Sequence, residues 1–273
     1  DSQSNTVPNL SPNPLANKGL STQLGNSQKV LVQQAGTQQS VWTVQENGLG
    51  SGENQARVRQ TGSVGPLSGV LNEAEVRQAG TENQSTTRQE GDENDALTLQ
   101  GQNDTGSAYN KALIRQGTGQ QAEYNFANIE QDGDYNQAQT QQTYDRNQAW
   151  TRQLGDYNKS MIVQNGAPND TDGHSAMNYQ LGDDNESSIN QSGDGGRNTA
   201  YAEQTGNGNK AKQMQTTDAT AGSPGNYGVI LQGRSFIVDA PELTTAQAIF
   251  DDLQAIDDLT VGGTFTVNGT VTT

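Results

Sequence analysis

One short phrase returns along this chain so often that it limits the possible folds to a few. "NQARVRQTG" (54–62), "NEAEVRQAG" (72–80), "NFANIEQDG" (125–133) and "NTAYAEQTG" (198–206) share a frame. In each, Asn is followed two places on by a small residue and six places on by Gln, with Gly close behind. The closing Gln recurs at Gln34, Gln45, Gln60, Gln78, Gln89, Gln100, Gln116, Gln131, Gln142, Gln153, Gln164, Gln180, Gln191, Gln204, Gln215 and Gln232, sixteen units in all. The spacing is often 11 and otherwise longer, which reads as fixed strands joined by variable loops. A short period of this kind is the mark of a stacked repeat architecture.

Inside a phrase the period is 2. Asn54, Ala56, Val58 and Gln60 alternate with Gln55, Arg57 and Arg59. Asn72, Ala74, Val76 and Gln78 alternate with Glu73, Glu75 and Arg77. Such alternation is a strand with two unlike faces. The charged set must face water, so the Asn, small and Gln set faces inward. The slot between the small residue and Gln is mostly Val, Ile or Thr, which suits a strand. Gly, Asp and Asn follow the Gln, where turns need positive φ or local side-chain caps.

Only 29% of the residues are hydrophobic, and the formal net charge is -16. Mean hydropathy is -0.87. That composition alone points to disorder. The period points instead to a polar interior in which every amide is paired. Identical strands stacked about 4.8 Å apart place Asn on Asn and Gln on Gln. Each amide then donates to one neighbour and accepts from the other. The expected ladder residues are Asn54, Gln60, Asn72, Gln78, Asn125, Gln131, Asn147, Gln153, Asn158, Gln164, Asn185, Gln191, Asn198 and Gln204. The expected fold is an all-β solenoid of about eight two-strand coils over 28–234.

Placing alternate units on opposite sheets sorts the outward residues. The sheet with Gln34, Gln60, Gln89, Gln116, Gln142, Gln164, Gln191 and Gln215 carries outward Lys29, Arg57, Arg59, Arg88, Lys111, Arg115, Lys159, Lys210 and Lys212. The other sheet carries Trp42, Phe126, Trp150, Tyr179, Tyr201 and Tyr227, with only Arg77 and Arg152 as cations. The basic sheet is a candidate surface for matrix polysaccharide or extracellular DNA. The acidic balance of the whole chain argues against a dedicated nucleic-acid binder.

The phrase Asn-x-Ala-x-x-x-Gln-x-Gly, with strands often 11 apart, resembles the curlin repeat over about 28–234. The chain departs from that pattern in four ways. Most strands open with Asn where the family's first strand usually has Ser, there are more repeats, some loops are longer, and residues 235–273 follow the repeats. The resemblance implies a secreted structural subunit of curli-like extracellular amyloid fibres, polymerising head to tail in a biofilm. It also implies an outer-membrane secretion pore and a nucleator subunit as partners. The rival expectations are a monomeric cell-surface adhesin or ligand-binding solenoid, and a fibre nucleator or capping subunit.

Cysteine is absent, which excludes disulfides and thiolate metal sites. No apolar run is long enough to span a membrane as a helix. The single histidine, His174, occupies a slot that Asn usually fills and has no triad or zinc partners in view. No acid–base arrangement is recognisable, so an enzyme and a cofactor are not expected. Asp134, Asp156 and Asp183 sit in turns that should stack, which makes them candidate calcium ligands; alternatively they are ordinary turn residues. Residues 1–27, with three prolines and no period, read as a flexible leader, to which the resemblance assigns secretion addressing. The tail, 235–273, reads as strand, amphipathic helix and strand, with Ile249, Leu253 and Ile256 on one helical face. It is expected to join subunits or to cap the rod.

Overall fold

The computed structural model describes residues 16–46, 53–62, 71–102, 107–117, 122–166, 173–193, 196–217 and 225–233. The described chain is a parallel β-solenoid with two sheets and, among the described residues, no helix. The odd strands form a nine-stranded sheet: β1 (Lys18–Leu24), β3 (Ser40–Glu46), β5 (Glu73–Ala79), β7 (Asp95–Gln100), β9 (Phe126–Asp132), β11 (Gln148–Leu154), β13 (Ser175–Leu181), β15 (Thr199–Thr205) and β17 (Tyr227–Gln232). The even strands form an eight-stranded sheet: β2 (Lys29–Ala35), β4 (Gln55–Thr61), β6 (Gln84–Glu90), β8 (Lys111–Gln116), β10 (Gln137–Thr143), β12 (Lys159–Asn165), β14 (Glu186–Gly193) and β16 (Lys210–Thr217). Each sheet is ordered along the rod as along the chain. The expected division of alternate phrases between two sheets is the one observed.

Register is constant. Gln60 pairs with Gln89, Gln89 with Gln116, Gln131 with Gln153, and Gln153 with Gln180. Strand residues alternate between buried and more exposed, as in Gln55–Thr61. A one-residue slip would turn every ladder amide outward, so the pattern itself holds the register.

The solenoid starts earlier than expected. Lys18–Leu24 is a strand in register with Ser40–Glu46, although it falls in the stretch read as leader. The frame is present there as Asn17, Gly19, Ser21, Gln23 and Gly25. Gly and Ser stand where Ala and Val usually do, and nearby prolines masked the period. The rest of the proposed leader and the whole tail, including its expected helix, lie outside the described residues.

Between the amide columns runs a narrow apolar core. Val41, Ala56, Val58, Ala74 and Val76 form one cluster. Ala96, Ala112, Ile114, Ala127, Ile129 and Ala138 form a second. Ala149, Ile162, Ala176, Ile189, Ala200 and Ala202 form a third. Buried threonines separate them: Thr87 and Thr98 between the first two, Thr140 and Thr151 between the last two. The core is one side chain deep, so hydrogen bonds must carry much of the specificity.

The arcs between strands use left-handed backbone. The residue before the ladder Asn has positive φ at Glu82, Tyr109, Tyr135, Tyr157 and Asp184 on one edge, and at Glu93, Tyr124 and Arg146 on the other. Glycine is demanded where arcs touch. A Cβ on Gly133 would lie 2.3 Å from the Gly155 carbonyl oxygen, and φ there is 101°.

Candidate assembly surfaces: amide ladders and rod ends

All fourteen expected ladder residues are at most 1% exposed. The glutamines form two unbroken columns. On the nine-stranded sheet Gln23 donates to Gln45 (3.0 Å), Gln45 to Gln78 (2.7 Å), Gln78 to Gln100 (2.8 Å) and Gln100 to Gln131 (2.9 Å). The column continues through Gln153, Gln180 and Gln204 to Gln232, each step 2.8 Å. On the other sheet Gln34, Gln60, Gln89, Gln116, Gln142, Gln164, Gln191 and Gln215 follow one another at 2.9–3.0 Å. In every step Nε2 of the earlier residue donates to Oε1 of the later one.

The other Nε2 proton does something the sequence does not reveal. It crosses the interior to a carbonyl at the start of the opposite strand. Gln153 donates to Gln137 (3.1 Å), Gln164 to Gln148 (2.8 Å), and Gln142 to Phe126 (2.7 Å). Each Gln from Gln34 to Gln215 therefore links neighbouring coils and also fastens the two sheets together.

The asparagines run the other way. From Asn83 on, His174 and its neighbour apart, the main-chain N–H of each Asn donates to Oδ1 of the Asn one coil before, as from Asn83 to Asn54 (2.9 Å) and from Asn158 to Asn136 (3.0 Å). Side-chain rungs share this sense: Asn94 Nδ2 donates to Asn72 Oδ1, and Asn185 Nδ2 to Asn158 Oδ1, both at 3.1 Å. His174 substitutes for Asn in this column. Its N–H donates to Asn147 Oδ1 (3.0 Å), and its Nδ1 accepts from the Asn198 N–H (3.3 Å). Nδ1 must then be unprotonated, a neutral imidazole. With no amide to accept it, Asn198 Nδ2 turns to the Ser192 carbonyl. His174 thus holds the Asn slot in the interior column.

Both rod ends are open among the described residues. β1 and β2 are the edge strands at one end, β17 and β16 at the other. Inward residues there lose their cover: Val30, Val32 and Ile230 are only partly buried. The Gln columns arrive at the ends with complementary chemistry. Gln23 and Gln34 offer Oε1 without a ladder donor, while Gln232 and Gln215 offer Nε2 without a ladder acceptor, among the described residues.

The acidic turns are occupied by the rod itself. Asp156 Oδ1 accepts the Asp134 N–H (2.7 Å), Asp183 Oδ1 accepts the Asp156 N–H (2.9 Å), and Asp134 Oδ1 accepts the Ala108 N–H (2.8 Å). Among the described residues no group of three or more His, Cys, Asp or Glu is placed to hold a metal ion. Asp134, Asp156 and Asp183 thus form a turn ladder, and the calcium reading gains nothing from the geometry.

Beside that ladder runs a feature that sequence reasoning missed. Tyr109 and Tyr135 stack at 4.7 Å with planes 7° apart, and Tyr135 and Tyr157 at 4.9 Å with planes 2° apart. These rings are exposed and stand on left-handed residues. The signal was Tyr directly before the ladder Asn, at Tyr109, Tyr124, Tyr135 and Tyr157. The charge of Glu82, then the Tyr135 ring, raises the Tyr109 phenol above its usual value. Glu93 does the same to Tyr124.

The outer faces differ as expected, with one addition. On the eight-stranded sheet Arg59, Arg88 and Arg115 pair in register over three successive strands. On the other, Phe126 lies 5.3 Å from Trp150, and Arg77 and Arg152 sit over Trp42 and Tyr179. That face is also acidic: Glu73 pairs in register with Asp95. Burial, and then the charges of Glu73 and Glu75, raise the Asp95 carboxyl above its ordinary value.

No family model matches the chain, and no curated protein matches it either.

Proposed function

We propose that this chain is the structural subunit of an extracellular curli-like fibre that grows end to end, in a biofilm matrix or adhesive coat. One observation carries the reading. The two Gln columns run unbroken through the rod and reach its ends as acceptors on one side and donors on the other. A second copy set on in the same direction, its β1 against β17, continues the nine-stranded sheet and its Gln column. A copy set on head to head meets acceptor with acceptor. Such a heterologous contact does not close on itself, so it generates an open filament. Edge strands with unpaired main-chain groups favour the same outcome.

The resemblance to curlin repeats supplies the rest of the proposal: secretion to the cell surface through an outer-membrane pore, a nucleator subunit, and no enzymatic activity. The Arg59, Arg88 and Arg115 row suits matrix polysaccharide or extracellular DNA as an accessory partner. Negative-stain microscopy and sedimentation at rising concentration test the reading. Unbranched filaments a few nanometres wide are expected, with growth slowed by Gln232→Leu. A chain that stays monomeric at high concentration overturns the proposal and favours the monomeric adhesin.

A further inference from the structure

The two broad faces of the rod carry opposite charge. Strands of the eight-stranded sheet hold nine cations against two acids, Glu90 and Glu186. Strands of the nine-stranded sheet hold seven acids against three cations, Lys18, Arg77 and Arg152. Both excesses peak in one stretch of the rod. Arg59, Arg88 and Arg115 stack in register on β4, β6 and β8. Glu73 and Asp95 stack on β5 and β7, with Glu75 two residues along β5. Arg88 holds Glu90, and Arg77 holds Glu75. Arg59, Arg115, Glu73 and Asp95 are exposed and have no ion pair among the described residues. Burial, then the charges of Glu73 and Glu75, hold the Asp95 carboxyl above its ordinary value, as in a carboxylate cluster short of counter-charge.

We infer that these faces form a lateral interface: the arginine face of one rod docks on the acidic face of a second copy that lies alongside and points the same way. The contact is separate from the rod ends, so it does not rest on the fibre reading.

The strands of the two sheets run in opposite directions across the rod, since Gln153 near the end of β11 reaches the carbonyl of Gln137 at the start of β10. A copy shifted sideways therefore opposes the fifth residue of an even strand to the third residue of an odd one. Arg59, Arg88 and Arg115 are fifth residues. Glu75 is a third residue, and Glu73 and Asp95 are first residues, one outward place away. Heights agree as well. Each strand lies half a coil beyond the last, so β6 stands between β5 and β7. Arg88 then faces the gap between Glu75 and Asp95, with Arg59 and Arg115 flanking it. A copy turned end for end, its ends flush, sets the row against the half of the sheet that holds Arg152 and Tyr179. Charge thus selects the parallel arrangement. An anionic polymer would satisfy the row and leave the acidic face bare, whereas a second copy satisfies both. Each copy uses one face and presents the other, so the contact is heterologous and can continue from rod to rod.

Negative-stain microscopy and small-angle X-ray scattering of the full chain, which read thickness apart from length, test this. Side-by-side association is expected at about 0.02 M salt, weakened on the order of tenfold or more at about 0.5 M. One variant carries Arg59→Gln, Arg88→Gln and Arg115→Gln; Gln33 and Gln141 already occupy that outward column, so the rod should fold. A second carries Glu73→Gln and Asp95→Asn. Each alone should lose side-by-side association. Mixed in equal amounts they should form pairs and nothing thicker, because one complementary contact remains. Association unchanged in either variant, or absent from the native chain at low salt, overturns the inference. Native rods that stay apart but bind double-stranded DNA or a polyuronate through the arginines also overturn it, and give the face to an anionic polymer. Filaments that grow but lie singly leave the fibre reading standing without this interface; side-by-side pairs without filaments do the reverse.

Discussion

Replacing Gln153 by Leu tests the ladder at the middle of the rod. Gln153 accepts from Gln131 (2.8 Å), donates to Gln180 (2.8 Å), and donates across the interior to the Gln137 carbonyl (3.1 Å). Leucine is similar in size and makes none of these bonds. One Gln131 proton and the Gln180 oxygen are left buried without partners, and water has no access to a residue that is 0% exposed. Each orphaned group costs about 1–3 kcal/mol. Gln131 keeps its own cross-sheet bond to Lys111, which limits the damage. With a smaller contribution from the Gln137 carbonyl, the expected loss is about 3–5 kcal/mol. Guanidinium denaturation followed by circular dichroism measures it, against Gln137→Leu on the exposed face as control. The control should fall within about 0.5 kcal/mol of the native chain. Because coils touch only their neighbours, hydrogen exchange should locate the loss in β9, β11 and β13. Equal destabilisation by both substitutions would refute the assignment of Gln153 to a shared interior column.

Three further outcomes follow from the same geometry. His174→Asn restores an acceptor for Asn198 Nδ2 and should stabilise the rod by about 0.5–1.5 kcal/mol in the same denaturation assay; a loss would mean that imidazole packing outweighs the missing rung. Asp95→Asn should raise stability at neutral pH: the folded-state carboxyl titrates above the unfolded one, so its cost is absent below the unfolded value and grows as pH rises through the folded one. Melting curves of the two proteins should therefore converge in acid, and a gap independent of pH would exclude a charge effect. Gly133→Ala should destabilise by about 1 kcal/mol or more, because the methyl meets the Gly155 carbonyl and φ is 101°; an unchanged melting temperature would mean that the arcs are not in close contact.

Much of this architecture was legible because side-chain direction in a strand has period 2 and this chain keeps it for sixteen phrases. Alternation alone separated Gln60 from Arg59 and sorted the strands into the two sheets that are observed. The first strand escaped because Gly19 and Ser21 weaken the pattern beside a proline-rich stretch. The cross-sheet bonds of Gln153 and Gln164 depend on how close the sheets lie, which no local pattern encodes. For Asp134, Asp156 and Asp183, residue type could not say whether the carboxylates faced solvent or a neighbouring N–H. The Tyr109, Tyr135 and Tyr157 stack needed the arcs to be superposed before the repeated Tyr-Asn pair acquired meaning.

The opposite senses of the Asn and Gln columns bear on how long such a rod can become. A single column of amides aligned head to tail adds its dipoles, as an α-helix does, and builds partial charges at its two ends. Here each full coil contributes two glutamines pointing one way and two asparagine-slot residues pointing the other. Their side-chain carbonyls face opposite ways, so their moments oppose one another within the coil. Lengthening the stack therefore adds less field at its tips than two columns of one sense would, and a coil placed far along a filament is closer in electrostatic environment to one placed near its beginning.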